Sequence, residues 1–203
     1  MIAIVDYQMG NLRSVQKAFE QVGCEAILTN RISDLKNAHR VVLPGVGAFP
    51  DAMTEINRRD LADPLRELIR SGKPFLGICL GLQLLFETSQ EIKTSQGLGI
   101  FGGEVRKFEL GPKYKVPHMG WNQIHFDQDS PLLKDVAPQS YVYFVHSYYV
   151  QPKDPEVVAL SSQHGHKFCA AAARDNVFAT QFHPEKSQAV GLQIIKNFAN
   201  WDA

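Results

Sequence analysis

The chain has little of what several function classes require. Its 203 residues balance 21 Lys plus Arg against 21 Asp plus Glu, and no basic run interrupts that balance. The electrostatic footprint of a nucleic-acid or membrane-surface binder is therefore missing, and neither partner is expected. Long apolar runs are also absent. The longest stretch, Phe75 to Phe86, is broken at Gly77, Gly81 and Gln83 and is too short to span a bilayer. Met1 to Asp6 carries no basic segment of the kind that opens a secretory signal, so a soluble cytoplasmic protein is expected. Cysteine is scarce. Cys24, Cys79 and Cys169 are odd in number, far apart and without a Cys-x-x-Cys pair, which argues against a disulfide framework or a zinc site. Any special cysteine here is chemical.

What remains is a chain with 44% hydrophobic residues, enough to bury one core, and a single domain over residues 1–203 is the expectation. The first half alternates strand and helix signals. An apolar run at Ile2 to Asp6 precedes a helix over Asn11 to Val22, whose Leu12, Val15, Phe19 and Val22 share one face; Gly23 closes it. Ala26 to Thr29 and Arg40 to Leu43 read as strands, and Pro44-Gly45-Val46-Gly47 reads as a break. A helix from about Pro64 to Ile69, a strand Phe75 to Ile78 and a helix Leu80 to Glu87 complete a rhythm that predicts an α/β fold with a mostly parallel central sheet flanked by helices. The second half predicts antiparallel hairpins from Val142 to Val145, Val157 to Ser161, Lys167 to Ala171 and Val177 to Phe182. A last helix, Ala189 to Trp201, has Leu192, Ile195 and Ala199 spaced to cover the sheet.

Chemistry concentrates at two points. Gly77-Ile78-Cys79-Leu80-Gly81 lies where an apolar strand becomes a helix, the setting of a nucleophile elbow, with flanking glycines to permit the turn. A helix starting at Leu80 turns its positive end to the sulfur and favours thiolate, while the Leu80 N–H can bind an oxyanion. A buried cysteine is more often a small hydrophobe, but those glycines favour the chemical reading. His183-Pro184-Glu185 follows the last apolar strand. In an extended segment residues two apart point the same way, so Glu185 can fix the tautomer of His183. Alone this tripeptide reads as a surface turn; with the elbow it completes a triad.

Gly77-Ile78-Cys79-Leu80-Gly81-Leu82-Gln83 together with Phe182-His183-Pro184-Glu185 resembles the signatures of the class I (triad) glutamine amidotransferases. Pro44 to Gly47, Pro117-His118-Met119-Gly120-Trp121-Asn122, Tyr143-Phe144-Val145-His146-Ser147-Tyr148 and Lys186-Ser187 narrow the resemblance, over nearly the whole chain, to the glutaminase branch that serves imidazole glycerol phosphate synthases. The resemblance implies a flavodoxin-like fold, and no cofactor and no metal are expected. It implies hydrolysis of L-glutamine to glutamate and ammonia through a γ-glutamyl thioester on Cys79, with His183 as acid and base and Glu185 as its orienter. It implies Gly47 and Leu80 as oxyanion donors, and Gly45, Gln83, Glu91, His146, Ser147 and Tyr148 around the substrate. It also implies a heterodimer with a (β/α)₈-barrel cyclase, which uses the ammonia to make imidazole glycerol phosphate and an aminoimidazole carboxamide ribonucleotide in histidine biosynthesis. Asn11, His118, Trp121, Asn122 and Lys186 fall near that interface. Gln8 stands where relatives often have glycine.

Plainer readings compete. His118 and Trp121 suit ordinary packing. His164-Gly165-His166 has metal-like spacing but no evident third ligand, and reads as a hairpin turn. Gly97, Gly99, Gly102 and Gly103 read as loop glycines, because they do not link a strand to a helix as a phosphate cradle requires. The triad alone also fits a free-standing amidase or cysteine peptidase, and a non-catalytic, redox-sensing subunit is a further alternative. Gly45 and Gly47 can accept the φ values of a peptide flip, so the Gly45 to Gly47 strand is a candidate switch that withholds an oxyanion donor until the partner is loaded.

Overall fold

Alternating apolar residues on short strands fix the architecture. The computed structural model describes residues 1–202. In chain order the first half forms β1 (Ile2–Val5), α1 (Leu12–Gln21), β2 (Ala26–Thr29), α2 (Ile32–Asn37), β3 (Arg40–Gly45), α3 (Phe49–Arg58), α4 (Ala62–Arg70), β4 (Phe75–Cys79) and α5 (Leu80–Leu84). The second half continues with β5 (Phe86–Ser89), β6 (Ser95–Gln96), β7 (Phe101–Lys107), β8 (His118–Gln123), β9 (His125–Phe126), β10 (Tyr141–His146) and β11 (Tyr148–Pro152). The long hairpin β12 (Val158–His164) and β13 (His166–Arg174), then β14 (Val177–Thr180) and α6 (Gln188–Ala199), complete the chain.

The main sheet runs β2-β1-β3-β4-β14-β13-β12-β9. Its first five strands are parallel and the rest antiparallel. That parallel order is the flavodoxin-like arrangement, in which ligands bind at the carboxyl ends of the strands. Both faces are covered. Ala3, Val5, Val41, Leu43, Phe75, Val177 and Ala179 point to one core, shared with Leu35, Met53, Ile56, Leu65 and Leu68 of α2, α3 and α4. Ile2, Ile4, Val42, Leu76, Ile78 and Phe178 point to the other, where α1 and α6 supply Val15, Phe19, Ile194, Ile195 and Phe198. Period-two burial on both faces is what a parallel sheet between helical layers demands.

A β10-β8 ribbon and a β11-β7-β5-β6 sheet are appended to this frame. They account for most departures from the sequence-based reading. The run Leu80 to Glu87 is not one helix: α5 stops at Leu84, and Phe86–Ser89 becomes β5, paired with β6 and β7. An unbroken apolar segment has no periodicity to separate helix from strand, so pairing with β7 decides. Pro44 and Gly45 do not interrupt β3 but extend it, aligned with Ile78 and Cys79 of β4. Gly102 and Gly103 lie inside β7, not in a loop, and the Gly103 N–H donates to the Glu87 carboxylate. His164-Gly165-His166 is the turn of the β12–β13 hairpin, with Gly165 at φ +73°. Among the described residues no helix is long and apolar enough to cross a membrane.

Candidate active site

The turn from β4 into α5 puts Cys79 at φ 56°, ψ −107°, a conformation that costs a non-glycine residue of order 1–3 kcal/mol. The cysteine itself, not its flanking glycines, takes the strained backbone. The glycines serve close approach instead. A Cβ on Gly77 would press on the Ala179 side chain and the Gly81 backbone, and one on Gly81 would collide with the Leu43 carbonyl oxygen. Gly81→Ala is therefore expected to cost about 3 kcal/mol or more, read as a fall in the urea midpoint, because main chain cannot yield to the added methyl. A change under about 0.5 kcal/mol would contradict this packing account.

Cys79 opens onto a cavity of about 370 Å³ at the carboxyl ends of the strands, lined also by Val46, Gly47, Leu80, Gln83, Glu91, Pro117, His146, Ser147, Tyr148 and His183. His183 is carried there by the segment after β14, where its N–H donates to the Tyr143 carbonyl. Its Nδ1 donates to Glu185 Oε1 at 2.8 Å, and both side chains are buried. Burial favours neutral imidazole, yet the neighbouring Cys79 and the Glu185 carboxylate hold His183 well above its ordinary value. Its Nε2 makes no hydrogen bond within normal geometry, and Glu185 Oε2 is likewise unpartnered. A buried polar atom left open in a cavity beside a thiol is placed for a reacting group, not for packing.

Other sequence-predicted positions fall into distinct settings. Gly45 does not line the cavity; it sits in β3 beneath the Tyr7 hydroxyl and Leu80. Glu91 lines the cavity, and one of its oxygens accepts from the Phe49 N–H at the start of α3. Gln83 is buried and donates to the Tyr148 carbonyl at 3.1 Å. Trp121, 47% exposed, packs edge-on against Tyr143, and Asn11 and Lys186 are exposed. His118 is buried, its ring stacked on Phe144 and on His164.

Two residues emerge from the structure alone. Tyr7 is fully buried and its hydroxyl donates to the Pro44 carbonyl at 2.9 Å, pinning the strand that leads to Gly47; burial and the nearby Cys79 raise its acidity threshold far above the ordinary phenol value. Gln181 is fully buried, with Nε2 at 3.7 Å from Cys79 Sγ. Neither carried a spacing signal, because each lies in or beside an apolar strand run.

His118 and His146 are both held neutral. Burial, reinforced by His164, lowers His118 from 6.5 to about 4. Burial lowers His146 to about 3, against a favourable bond to the Tyr148 carbonyl and with His118, His164 and His183 adding to the effect. The unfolded chain protonates these rings near 6.5 and the folded chain does not, so stability is lost as pH falls through that value. Urea unfolding between about pH 7 and about pH 5 is expected to show a decline approaching 1.4 kcal/mol per pH unit for each ring, shallower in His118→Phe. An unchanged slope in that variant would contradict the assignment.

A larger cavity, about 920 Å³, opens over β11, β12 and β13 and holds Cys169. Burial, with Asp127 nearby, pushes the Cys169 thiol far up, and that thiol donates to the Ala171 carbonyl at 3.3 Å, so the larger cavity holds a protonated, hydrogen-bonded cysteine.

A doubly wound sheet carrying a cysteine elbow opposite a histidine–carboxylate pair defines a thiol-dependent acyl-transfer class. The family model "Glutamine amidotransferase class-I" matches residues 3–201. The chain is 57% identical over 199 residues to imidazole glycerol phosphate synthase subunit HisH of Rhodopirellula baltica, covering 98% of this chain and 97% of that one. It is 53% identical to the HisH subunit of Syntrophotalea carbinolica, covering 98% and 100%. The fold is also that of the PurLQS structure from Thermotoga maritima, with a TM-score of 0.77 at 19% identity over 98% of this chain and 97% of that one. The chain belongs to the class I glutamine amidotransferases and, within them, to the HisH family of imidazole glycerol phosphate synthase subunits.

Proposed function

We propose that this enzyme, acting as a single cytoplasmic amidotransferase domain, hydrolyses L-glutamine at Cys79 and delivers the ammonia to a cyclase subunit in histidine biosynthesis. The observation that carries the reading is the meeting of the elbow cysteine with the 2.8 Å His183–Glu185 pair in one cavity. Sγ attacks the side-chain amide carbon, and the resulting oxyanion is received by the Leu80 N–H and, when suitably turned, the Gly47 N–H. His183 passes a proton from Nε2 to the departing ammonia, leaving a γ-glutamyl thioester. Water then enters, His183 takes its proton, and glutamate leaves as the thiol is regenerated. Gln83, Glu91 and the His146 to Tyr148 wall hold the amino-acid end.

The partner face is argued from exposed apolar side chains at the cavity mouth. Met119, Trp121 and Tyr141 are 63%, 47% and 55% exposed on the β8–β10 ribbon, and Pro117, just before β8, and Val145 of β10 line the cavity. Such a patch beside a reactive site supports docking there of the (β/α)₈-barrel cyclase, which would receive ammonia directly from the cavity. Trp121→Ala is expected to weaken that complex at least tenfold by calorimetric titration, in keeping with aromatic anchors at interfaces. A change below twofold would move the interface elsewhere.

The Val46–Gly47 peptide is the proposed switch. Tyr7 anchors the strand just before it, Gly47 stands at φ +99°, and Val46 is 40% exposed. A flip that turns an N–H toward the oxyanion on partner loading would prevent idle hydrolysis. A thousandfold activation would correspond to about 4 kcal/mol. The test is glutamate release by the subunit alone and with a cyclase carrying its nucleotide. Release that rises sharply only with the loaded partner supports the account, and full activity in the isolated subunit overturns it in favour of a free-standing glutaminase.

A further inference from the structure

Polar groups running from Asn122 on β8 to Cys79 form one continuous hydrogen-bonded chain, and with both of its histidines neutral its polarity follows from the partners. The Tyr148 carbonyl can only accept. His146 Nδ1, at 2.7 Å from it, must therefore carry the proton, which leaves His146 Nε2 as an acceptor. His118 Nδ1, at 3.0 Å, must donate to it, which leaves His118 Nε2 to accept from Asn122 Nδ2 at 3.2 Å. On the far side of the same carbonyl, Gln83 Nε2 donates to Tyr148 and also to Gln181 Oε1, each at 3.1 Å. That fixes the Gln181 amide. Its oxygen is taken, so the nitrogen is the atom facing Cys79 Sγ at 3.7 Å. The Gln181 N–H donates to the Ala170 carbonyl at 2.8 Å and holds the backbone in place.

Gln181 is fully buried and does not line the substrate cavity, so its amide meets the sulfur from within the protein. A donor in that position supports negative charge on sulfur without obstructing attack. At the other end, Asn122 lies on β8, beside the exposed Trp121. We infer that Gln181 is a catalytic residue that donates a hydrogen bond to the Cys79 thiolate, and that Asn122, His118, His146 and Gln83 are positioning residues that tie its orientation to the β8 face. Displacement of β8 by a docked protein would then be felt at the sulfur through six hydrogen bonds, independently of the Gly47 peptide. This inference rests on Cys79 being the nucleophile.

The experiment follows alkylation of Cys79 by iodoacetamide against pH in the full chain, with the Cys79 peptide quantified by mass spectrometry so that Cys24 and Cys169 do not contribute. Gln181→Met keeps the volume and removes the donor. Its alkylation rate near neutral pH is expected to fall about tenfold, with the profile moved to higher pH, and kcat for glutamine to fall similarly at nearly constant KM. If that variant does not fold, Gln181→Glu, which sets a carboxylate beside the sulfur, is expected to move the profile at least as far. His118→Phe keeps the stacked ring and removes both nitrogens; it should shift the profile about threefold in wild type and not at all in Gln181→Met. His118→Asn, with Nδ2 in place of the ring Nδ1, should restore it. A merely structural role would lower stability without moving the profile. Profiles that coincide with wild type in folded Gln181 variants overturn the role of Gln181, and additive effects of His118→Phe and Gln181→Met overturn the relay. The premise is read separately: glutaminase activity surviving in Cys79→Ala removes the nucleophile assignment, whatever the alkylation profiles do.

Discussion

Cys79→Ala is expected to lose glutamine hydrolysis by about 10⁴-fold or more while keeping the fold and the ability to bind glutamine. Alanine is compatible with the same backbone, φ 56° at Cys79, and deletes only the proposed nucleophilic sulfur. The cavity-lining Gln83, Glu91 and Tyr148, proposed to hold glutamine, remain, so KM or a measured Kd for glutamine should change little. Steady-state glutamate release with the loaded partner checks the rate, and calorimetry checks the binding. A residual rate within about tenfold of wild type would exclude Cys79 as nucleophile.

Glu185→Gln is expected to lower kcat by about 10³-fold with little effect on KM. In the native protein the carboxylate accepts from His183 Nδ1, which leaves Nε2 as the working nitrogen toward the cavity. Glutamine is nearly the same shape, but its amide can turn a donor toward Nδ1 and stabilise the wrong tautomer. The same change has a pH signature. His183 is held above its ordinary value, so its pairing stabilises the fold fully below about pH 6.5 and loses that contribution as pH rises through the folded value. In Glu185→Gln the alkaline decline in stability should flatten. A variant with near-normal kcat and an unchanged alkaline profile would show that Glu185 does not orient His183.

Legibility differed by the kind of signal. The parallel half could be read because β1, β2 and β4 are apolar runs bounded by turn residues, and their boundaries in the structure differ by a residue at most. Helix α3 is not legible in the sequence, since its Phe49, Ala52, Met53 and Ile56 follow directly on a Pro-Gly segment that reads as a loop. Phe86 and Glu87 read as the end of a helix, whereas strand pairing with β7, a tertiary event, overrides the local apolar run. Cys79, His183 and Glu185 stood out by chemistry and by the glycines and proline beside them, although the glycines serve packing and the cysteine itself carries the strain. Gln181 gave no signal. It lies one residue past β14, inside a run read as apolar strand, and only the folded chain shows its amide turned toward sulfur. His118 could be read as interface or as packing, and what the sequence hid was its hydrogen bond to His146, residues brought together by the β8–β10 register.

The most direct test of the central claim is an acid quench of the enzyme turning over glutamine with its loaded partner, followed by mass analysis of the Cys79 peptide. The account predicts a γ-glutamyl adduct on Cys79 that forms and decays at rates compatible with glutamate release and is absent from Cys79→Ala. Release of glutamate at the wild-type rate with no adduct at Cys79, or with an adduct on another residue, would contradict it.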